Sequence, residues 1–160
     1  MIRLGKLTDY GLVLMSQMAR QPVTELHTAR DLADACSLPL PTVSKLLKIL
    51  LQNGLLASHR GIKGGYGLVR DPRMISIAEI ISALEGPLAL TECSTDVVGM
   101  CDIESCCPIK DNQRVINRVI REALRDLMLS DLIRPMQLSA FRGQKGNIVP
   151  AASLISGRMQ

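Results

Sequence analysis

Apolar side chains recur at helical spacing along most of the chain, and the polar residues between the runs mark where each helix starts and stops. Leu12, Met15 and Ala19 share one face of a first helix predicted over residues 9 to 20, with Thr8 as its N-cap and Gln21-Pro22 as its break. Thr28 followed by Asp31 is a variant capping box. It opens a short second helix that ends near Cys36 and carries Ala29, Leu32 and Ala33 on one face. Ser37-Leu38 then makes a tight turn, and Pro39 and Pro41 fit only before or within the first turn of a third helix, where a missing N–H is harmless. Its apolar set, Val43, Leu46, Leu47 and Leu50, runs to the stop signal Asn53-Gly54.

Beyond that stop the period changes. Residues 55–60 and 66–70 read as two strands around Gly61-Ile62-Lys63-Gly64-Gly65, with glycines supplying the positive φ of a hairpin tip. Two helices joined by a tight turn match the helix-turn-helix pattern, and a basic, glycine-tipped hairpin directly after it is a wing. A nucleotide-binding phosphate loop does not fit, since no Gly-x-x-x-x-Gly-Lys-Ser/Thr is present and no helix follows the tip. Ser76 with Glu79 is a full capping box for a fourth helix carrying Ile77, Ile80, Ile81 and Leu84, ended by Gly86-Pro87.

Residues 87–107 lack any period. Pro108, at a first helical position, is expected to start a long last helix with Ile109, Ile116, Ile120, Ala123 and Leu127 on one face and Val115, Val119, Leu124 and Met128 beside them. So broad an apolar arc suits burial between two subunits. The predicted organisation is therefore a mainly α chain with a small β-hairpin wing. It divides into a winged helix-turn-helix domain over 1–86, a cysteine-rich loop over 87–107, a dimerisation helix region over 108–133 and a mobile tail over 134–160.

Composition narrows the class. At 160 residues and 47% apolar content the chain can bury a core without disulfides, and no apolar run reaches the length of a membrane span. With no secretion signal, a cytosolic location is expected. Three aromatic residues, Tyr10, Tyr66 and Phe141, are too few for a base-stacking platform, which argues against single-strand binding. No nucleophile has a base placed by a local motif and His27 and His59 stand alone, so an enzyme is not expected. The net charge of +4 is mild, but between Leu38 and Ile75 six bases (Lys45, Lys48, Arg60, Lys63, Arg70, Arg73) meet one acid, Asp71. Thr42, Ser44, Lys45 and Lys48 fall on the outward face of the third helix, suited to base edges and phosphates. Arg60 and Lys63 would reach phosphates or the minor groove, and Gly64 and Gly65 would let the backbone approach a duplex. Duplex DNA is the expected partner.

Four of the five cysteines crowd into the loop as Cys93, Cys101, Cys106 and Cys107; Cys36 is expected to pack in the helix-turn-helix. The spacing lacks the paired Cys-x₂₋₄-Cys of zinc ribbons, and soft thiolates in an irregular loop suit an iron–sulfur cluster. Cys107, at the expected N-cap of the last helix, would be favoured as thiolate by the helix dipole. From spacing alone a cluster, zinc, a redox dithiol and inert packing all stay open.

Taken together, Leu7-Thr8-Asp9-Tyr10-Gly11, the helix-turn-helix, Asn53-Gly54-Leu55, the wing Arg60-Gly61-x-x-Gly64-Gly65-Tyr66 and the loop Cys93-x₇-Cys101-x₅-Cys107-Pro108 resemble the IscR-like, Rrf-type winged-helix regulators. Cys-Asp-Ile-Glu-Ser-x-Cys-Pro is similar to the branch that regulates SUF cluster-assembly genes. The resemblance covers residues 1 to about 133. It implies a homodimer with crossing long helices and a cluster, 2Fe–2S in preference to 4Fe–4S, held by Cys93, Cys101 and Cys107. It also implies base reading by Thr42, Ser44 and Lys45, and repression of cluster-assembly genes. Where such members place a histidine ligand, this chain has Lys110, so the fourth ligand would be Cys106 or a carboxylate such as Asp9, from the partner's first helix, or Asp111, with Cys106 and Asp9 ranked equally. Two other functions remain: a thiol-redox or nitric-oxide sensing regulator, and a cluster carrier that does not bind DNA.

Overall fold

A computed structural model describes residues 4–91, 94 and 101–136. Three helices open the chain: α1 (Lys6–Ala19), α2 (Ala29–Cys36) and α3 (Leu40–Gln52). The hairpin β1 (Leu56–His59) and β2 (Gly65–Leu68) follows, then a 3₁₀ turn (Pro72–Met74) and α4 (Ile77–Glu85). α5 (Lys110–Asp126) and a 3₁₀ segment (Leu129–Ile133) complete the described fold. The strands pair antiparallel, Leu56 opposite Leu68 and His59 opposite Gly65, as a two-stranded sheet. The mainly helical, winged architecture expected from the sequence is the one observed.

Local chemistry explains most boundaries. The Thr28 hydroxyl accepts from the Asp31 amide at 3.2 Å and the Asp31 carboxylate accepts back from the Thr28 amide at 3.3 Å, which opens α2. Ser76 and Glu79 repeat this at α4, with bonds of 3.2 and 2.9 Å. α3 closes in a Schellman motif. The Leu55 amide donates to the Leu50 carbonyl at 3.0 Å and the Gly54 amide to Leu51 at 3.1 Å, with Gly54 at φ +70. α2 closes the same way, Leu38 donating to Ala33 at 3.0 Å, but its left-handed residue is Ser37 at φ 53.

Four expectations change. Thr8 is not an N-cap: α1 begins at Lys6 with Gly5 as N-cap, because the Glu85 carboxylate at the end of α4 accepts the Gly5 amide and supplies the cap from outside the helix. Thr8 is instead fully buried in the first turn. The last helix does not start at Pro108. That residue sits in the turn between Cys107 and Lys110, where a fixed φ and absent N–H are tolerated as well as at a first helical position. Cys107 therefore precedes the N-cap, Ile109, rather than occupying it. Leu127 and Met128 leave the helix because the Ile77 amide, orphaned at the start of α4, takes the Leu127 carbonyl at 2.8 Å, and Leu129 donates to Ile75 at 2.8 Å. Leu129 is thereby fully buried, so the core around the first 86 residues also takes in the chain after the long helix.

That core is Leu14, Met15, Met18, Leu32, Val43, Leu46, Leu47, Leu50, Ile75, Ile80 and Ile81 with Leu129, at the junction of α1, α3 and α4. α1 and α4 approach closely at Gly11, where a Cβ would lie 2.3 Å from Leu84 Cδ1. The wing is fixed by the stretch before α2. The His27 amide donates to the Tyr66 carbonyl at 2.9 Å and the Tyr66 amide donates to the His27 carbonyl at 2.8 Å, and Tyr66 packs against the core.

Candidate nucleic-acid interface and cysteine loop

The burial of Val43, Leu46, Leu47 and Leu50 fixes the rotation of α3, so Ser44, Lys45 and Lys48 are exposed and Thr42 is half-buried at its first turn. α3 contains no acid, and neither the Thr42 nor the Ser44 hydroxyl makes a hydrogen bond among the described residues. The six bases of this region divide. Arg70 is held by Glu79 at 2.9 Å and Arg73 by Asp71 at 2.9 Å, while Lys45, Lys48, Arg60 and Lys63 are exposed without an ion pair among the described residues. Arg73 holds the Asp71 carboxyl down at about 2. Within this segment the unpaired positive charge thus lies on α3 and the wing, while Arg70 and Arg73 are each paired with a carboxylate.

The wing glycines have a different cause from the one expected. Only Gly61, at φ +122, needs the left-handed region. At Gly64 a Cβ would lie 2.3 Å from the His59 carbonyl oxygen and at Gly65 2.7 Å from that of His27. Both are glycine because the hairpin closes on its own backbone and on the strand-like stretch before α2.

In the loop, Cys101 to Cys106 is a chain of turns, Glu104 donating to the Cys101 carbonyl at 3.0 Å and Cys106 to Ile103 at 3.1 Å. Cys101 and Cys107 are half-buried free thiols, and Cys106 is exposed with its thiol 3.6 Å from the Ile103 carbonyl. Lys110, at the position where the resemblance implies a histidine, is 2.9 Å from Glu104, which also meets Arg114 at 3.4 Å. These contacts tie the loop to the first turns of α5. Asp9 is exposed on α1. Cys93 and residues 137–160, the greater part of the expected tail, lie outside the described residues, and no three His, Cys, Asp or Glu side chains form a metal cage among those described. Two free thiols held half-buried on one short, anchored loop fit a soft-metal or cluster donor set. Cys36 is half-buried against the core, and burial pushes its thiol pKa up, as inert packing requires.

Asn117 escaped sequence reasoning. It sits in the middle of α5 and is buried, its side chain accepting from Leu90 at 3.1 Å and donating to the carbonyls of Leu88 at 3.4 Å and Ser94 at 3.5 Å. The one available signal was a polar residue at the helical spacing of Leu124, on the core side of α5.

A helix-turn-helix with a free basic face, followed by a basic hairpin, defines a winged-helix DNA-binding regulator. The comparisons agree: the model of the Rrf2 family, described as an iron-dependent transcriptional regulator, matches residues 4–135, and the chain belongs to that family. Among its relatives, the HTH-type transcriptional regulator NsrR of Shouchella clausii is 26% identical over 132 residues, covering 82% of this chain and 89% of its own. The NsrR of Bacillus licheniformis is 28% identical over 135 residues, covering 82% and 92%. Of solved structures, CymR, the global cysteine regulator of B. subtilis, superposes with a TM-score of 0.65 at 26% identity, covering 83% of this chain and 97% of CymR. T. potens IscR, at 24% identity and a TM-score of 0.64 over 88% of this chain and 96% of its own, shares the fold. The protein is a DNA-binding transcription regulator and not an enzyme. Among the described residues no helix is long and apolar enough to cross a membrane.

Proposed function

We propose that this regulator senses an iron–sulfur cluster and represses cluster-assembly genes. The observation that carries it is the pair of half-buried free thiols, Cys101 and Cys107, on a loop tied by Glu104 to Lys110 and Arg114. Cys93, Cys101 and Cys107 hold a 2Fe–2S cluster, and the fourth position falls to Asp9 of the partner subunit or to Cys106. Asp9 is the better candidate, since it is exposed on α1 and available to a second copy, whereas the Cys106 thiol turns back onto its own loop. When bound, the cluster supplies a removable bridge between the loop and its surroundings, and its loss changes the population of DNA-binding conformations. Thr42, Ser44, Lys45 and Lys48 read the major groove, with Arg60, Lys63, Gly64 and Gly65 of the wing against the backbone beside it. The apolar outer face of α5 pairs two copies, setting half-sites ~34 Å apart. Anaerobic purification with iron, sulfide and visible absorption measurements, followed by gel shifts of loaded and stripped protein on a cluster-assembly promoter, tests this. Stoichiometric iron and sulfide with a shift that depends on loading is expected; colourless, zinc-loaded protein overturns it.

One observation favours a second function. Cys106 is exposed and adjacent to Cys107, the arrangement of a thiol redox sensor. DNA binding by metal-free protein that responds to peroxide supports that alternative.

A further inference from the structure

Ile62 is the most exposed large apolar side chain among the described residues, at 107% relative exposure. It stands at the tip of the wing in the turn Gly61-Ile62-Lys63-Gly64, closed by the Gly64 amide donating to Gly61 at 2.9 Å. Turn chemistry does not call for it, since Asn, Asp, Ser or Gly serve such a position better than a β-branched hydrocarbon. Packing does not call for it either. Yet the tip is firmly built: the hairpin closes so tightly at Gly64 and Gly65 that neither position has room for a Cβ. The wing thus holds one bare aliphatic group forward between two exposed, unpaired cations, Arg60 and Lys63.

The matching surface is apolar at one point and anionic on both sides of it. The minor groove of duplex DNA has that chemistry, with sugar walls and stacked base edges between two lines of phosphates. The wing follows α3 directly, β1 starting four residues after the helix ends, so a helix seated in the major groove brings the wing onto the adjoining minor groove.

We propose that Ile62 enters that groove and determines specificity through the deformability of the base steps it meets. The inference rests on the DNA-binding function of the family. An aliphatic wedge offers no hydrogen bond, so it cannot read base edges. It favours steps that unstack and widen easily, TA and CA/TG, over stiff ones, while Arg60 and Lys63 hold the flanking phosphates.

The test is selection of binding sites from a random duplex library with full-length protein, its Ile62→Ser and Ile62→Leu variants and Lys63→Ala. Titrations over a range of salt on the selected duplex and on an unrelated one accompany it. Ile62→Ser is expected to lose the preference for flexible steps outside the two half-sites and ~10-fold in affinity for the selected duplex. Its non-specific affinity and salt slope stay those of the wild type, and Ile62→Leu keeps the preference. Lys63→Ala does the opposite, flattening the salt slope and leaving the preference in place. Wild-type preferences in Ile62→Ser, or equal losses on both duplexes, overturn the inference while DNA binding stands. A wild-type protein that selects no sequence overturns DNA recognition itself, and this inference with it.

Discussion

The side-chain oxygen of Asn117 accepts the Leu90 amide at 3.1 Å, joining the middle of α5 to the segment that leads into the cysteine loop. Its amide group adds the carbonyls of Leu88 and Ser94, so one buried side chain serves three backbone groups on either side of residues 92–93. Asn117→Leu leaves the part-buried Leu90 amide without its acceptor, a loss of about 0.5–1.5 kcal/mol. Urea unfolding reads the loss, and amide exchange at Leu90 accelerates. Under the proposed cluster function, the visible absorption of reconstituted protein also decays several-fold faster under a chelator. Unchanged exchange at Leu90 would show that the bond carries no weight.

The division of the basic residues predicts two kinds of DNA-binding defect. Lys45→Ala on α3 weakens specific binding by ~1–3 kcal/mol and relaxes selectivity at one position. Lys63→Ala on the wing weakens binding to all sequences and lowers the slope of log K against log salt by about 0.9. Arg73→Ala, whose charge is spent on Asp71, leaves both unchanged. Fluorescence anisotropy at several salt concentrations separates the three. An Arg73→Ala defect equal to that of Lys63→Ala would mean that the DNA-facing surface reaches beyond the wing.

Ser37 holds a left-handed conformation, φ 53, in the turn between α2 and α3, where a side chain is strained by about 1–2 kcal/mol. Ser37→Gly removes the strain but adds freedom to the unfolded chain, so the net gain is ~0.5–1 kcal/mol. Ser37→Val, with a branched Cβ, is destabilised by more than the glycine gains. Chemical denaturation of the two variants checks the sign of each.

What the chain's own pattern reveals is local. The Thr28 and Ser76 capping boxes, the Asn53-Gly54 stop and the turn at the wing tip are each determined by residues within four or five positions of one another, and each is found where the sequence puts it. Thr8, Leu127 and Asn117 fail for the opposite reason. Their roles depend on Glu85, Ile77 and Leu90, partners that no spacing rule connects to them. The basic segment was legible as a charge excess. That two of its six members serve Glu79 and Asp71 depends on side-chain geometry. The close approach of Gly64 to the His59 carbonyl and of Gly65 to that of His27 depends likewise on folded geometry that the glycine pattern alone does not specify.

Glu79 gives α4 a pH-dependent start. Partial burial raises its pKa, but the Ser76 amide, Arg70 and the Ser76 hydroxyl outweigh that and hold it below the ordinary value. A carboxylate lowered by folding contributes fully above its unfolded pKa, ~4.3, and loses the contribution as pH falls through the folded value. Glu79→Gln is therefore less stable than wild type at pH 7, by up to about 1 kcal/mol for a capping interaction, and the difference shrinks below pH ~4. Urea titrations of both proteins at pH 7 and pH 3 decide it; a gap that grows on acidification reverses the sign and removes the cap from the explanation.

The outer face of α5 makes the most direct test of assembly. On α5, Leu124 packs against the winged core and Asn117 is buried, while Val115, Ile116 and Val119 are 55%, 48% and 56% exposed on the far side. Three branched aliphatics exposed on one side of a helix whose other side already packs on the core gain nothing from the monomer. Burying each against a second copy is worth roughly 1.5–3 kcal/mol per fully covered side chain. Val119→Asp places a charge at the centre of that face without touching the core. Sedimentation is expected to convert a dimer to a monomer with unchanged far-UV circular dichroism, and affinity for a two-half-site duplex falls toward that for a single half-site, because the second site no longer binds at a raised effective concentration. If Val119→Asp stays dimeric, two copies meet through another surface, and the ~34 Å half-site spacing that follows from paired long helices loses its basis.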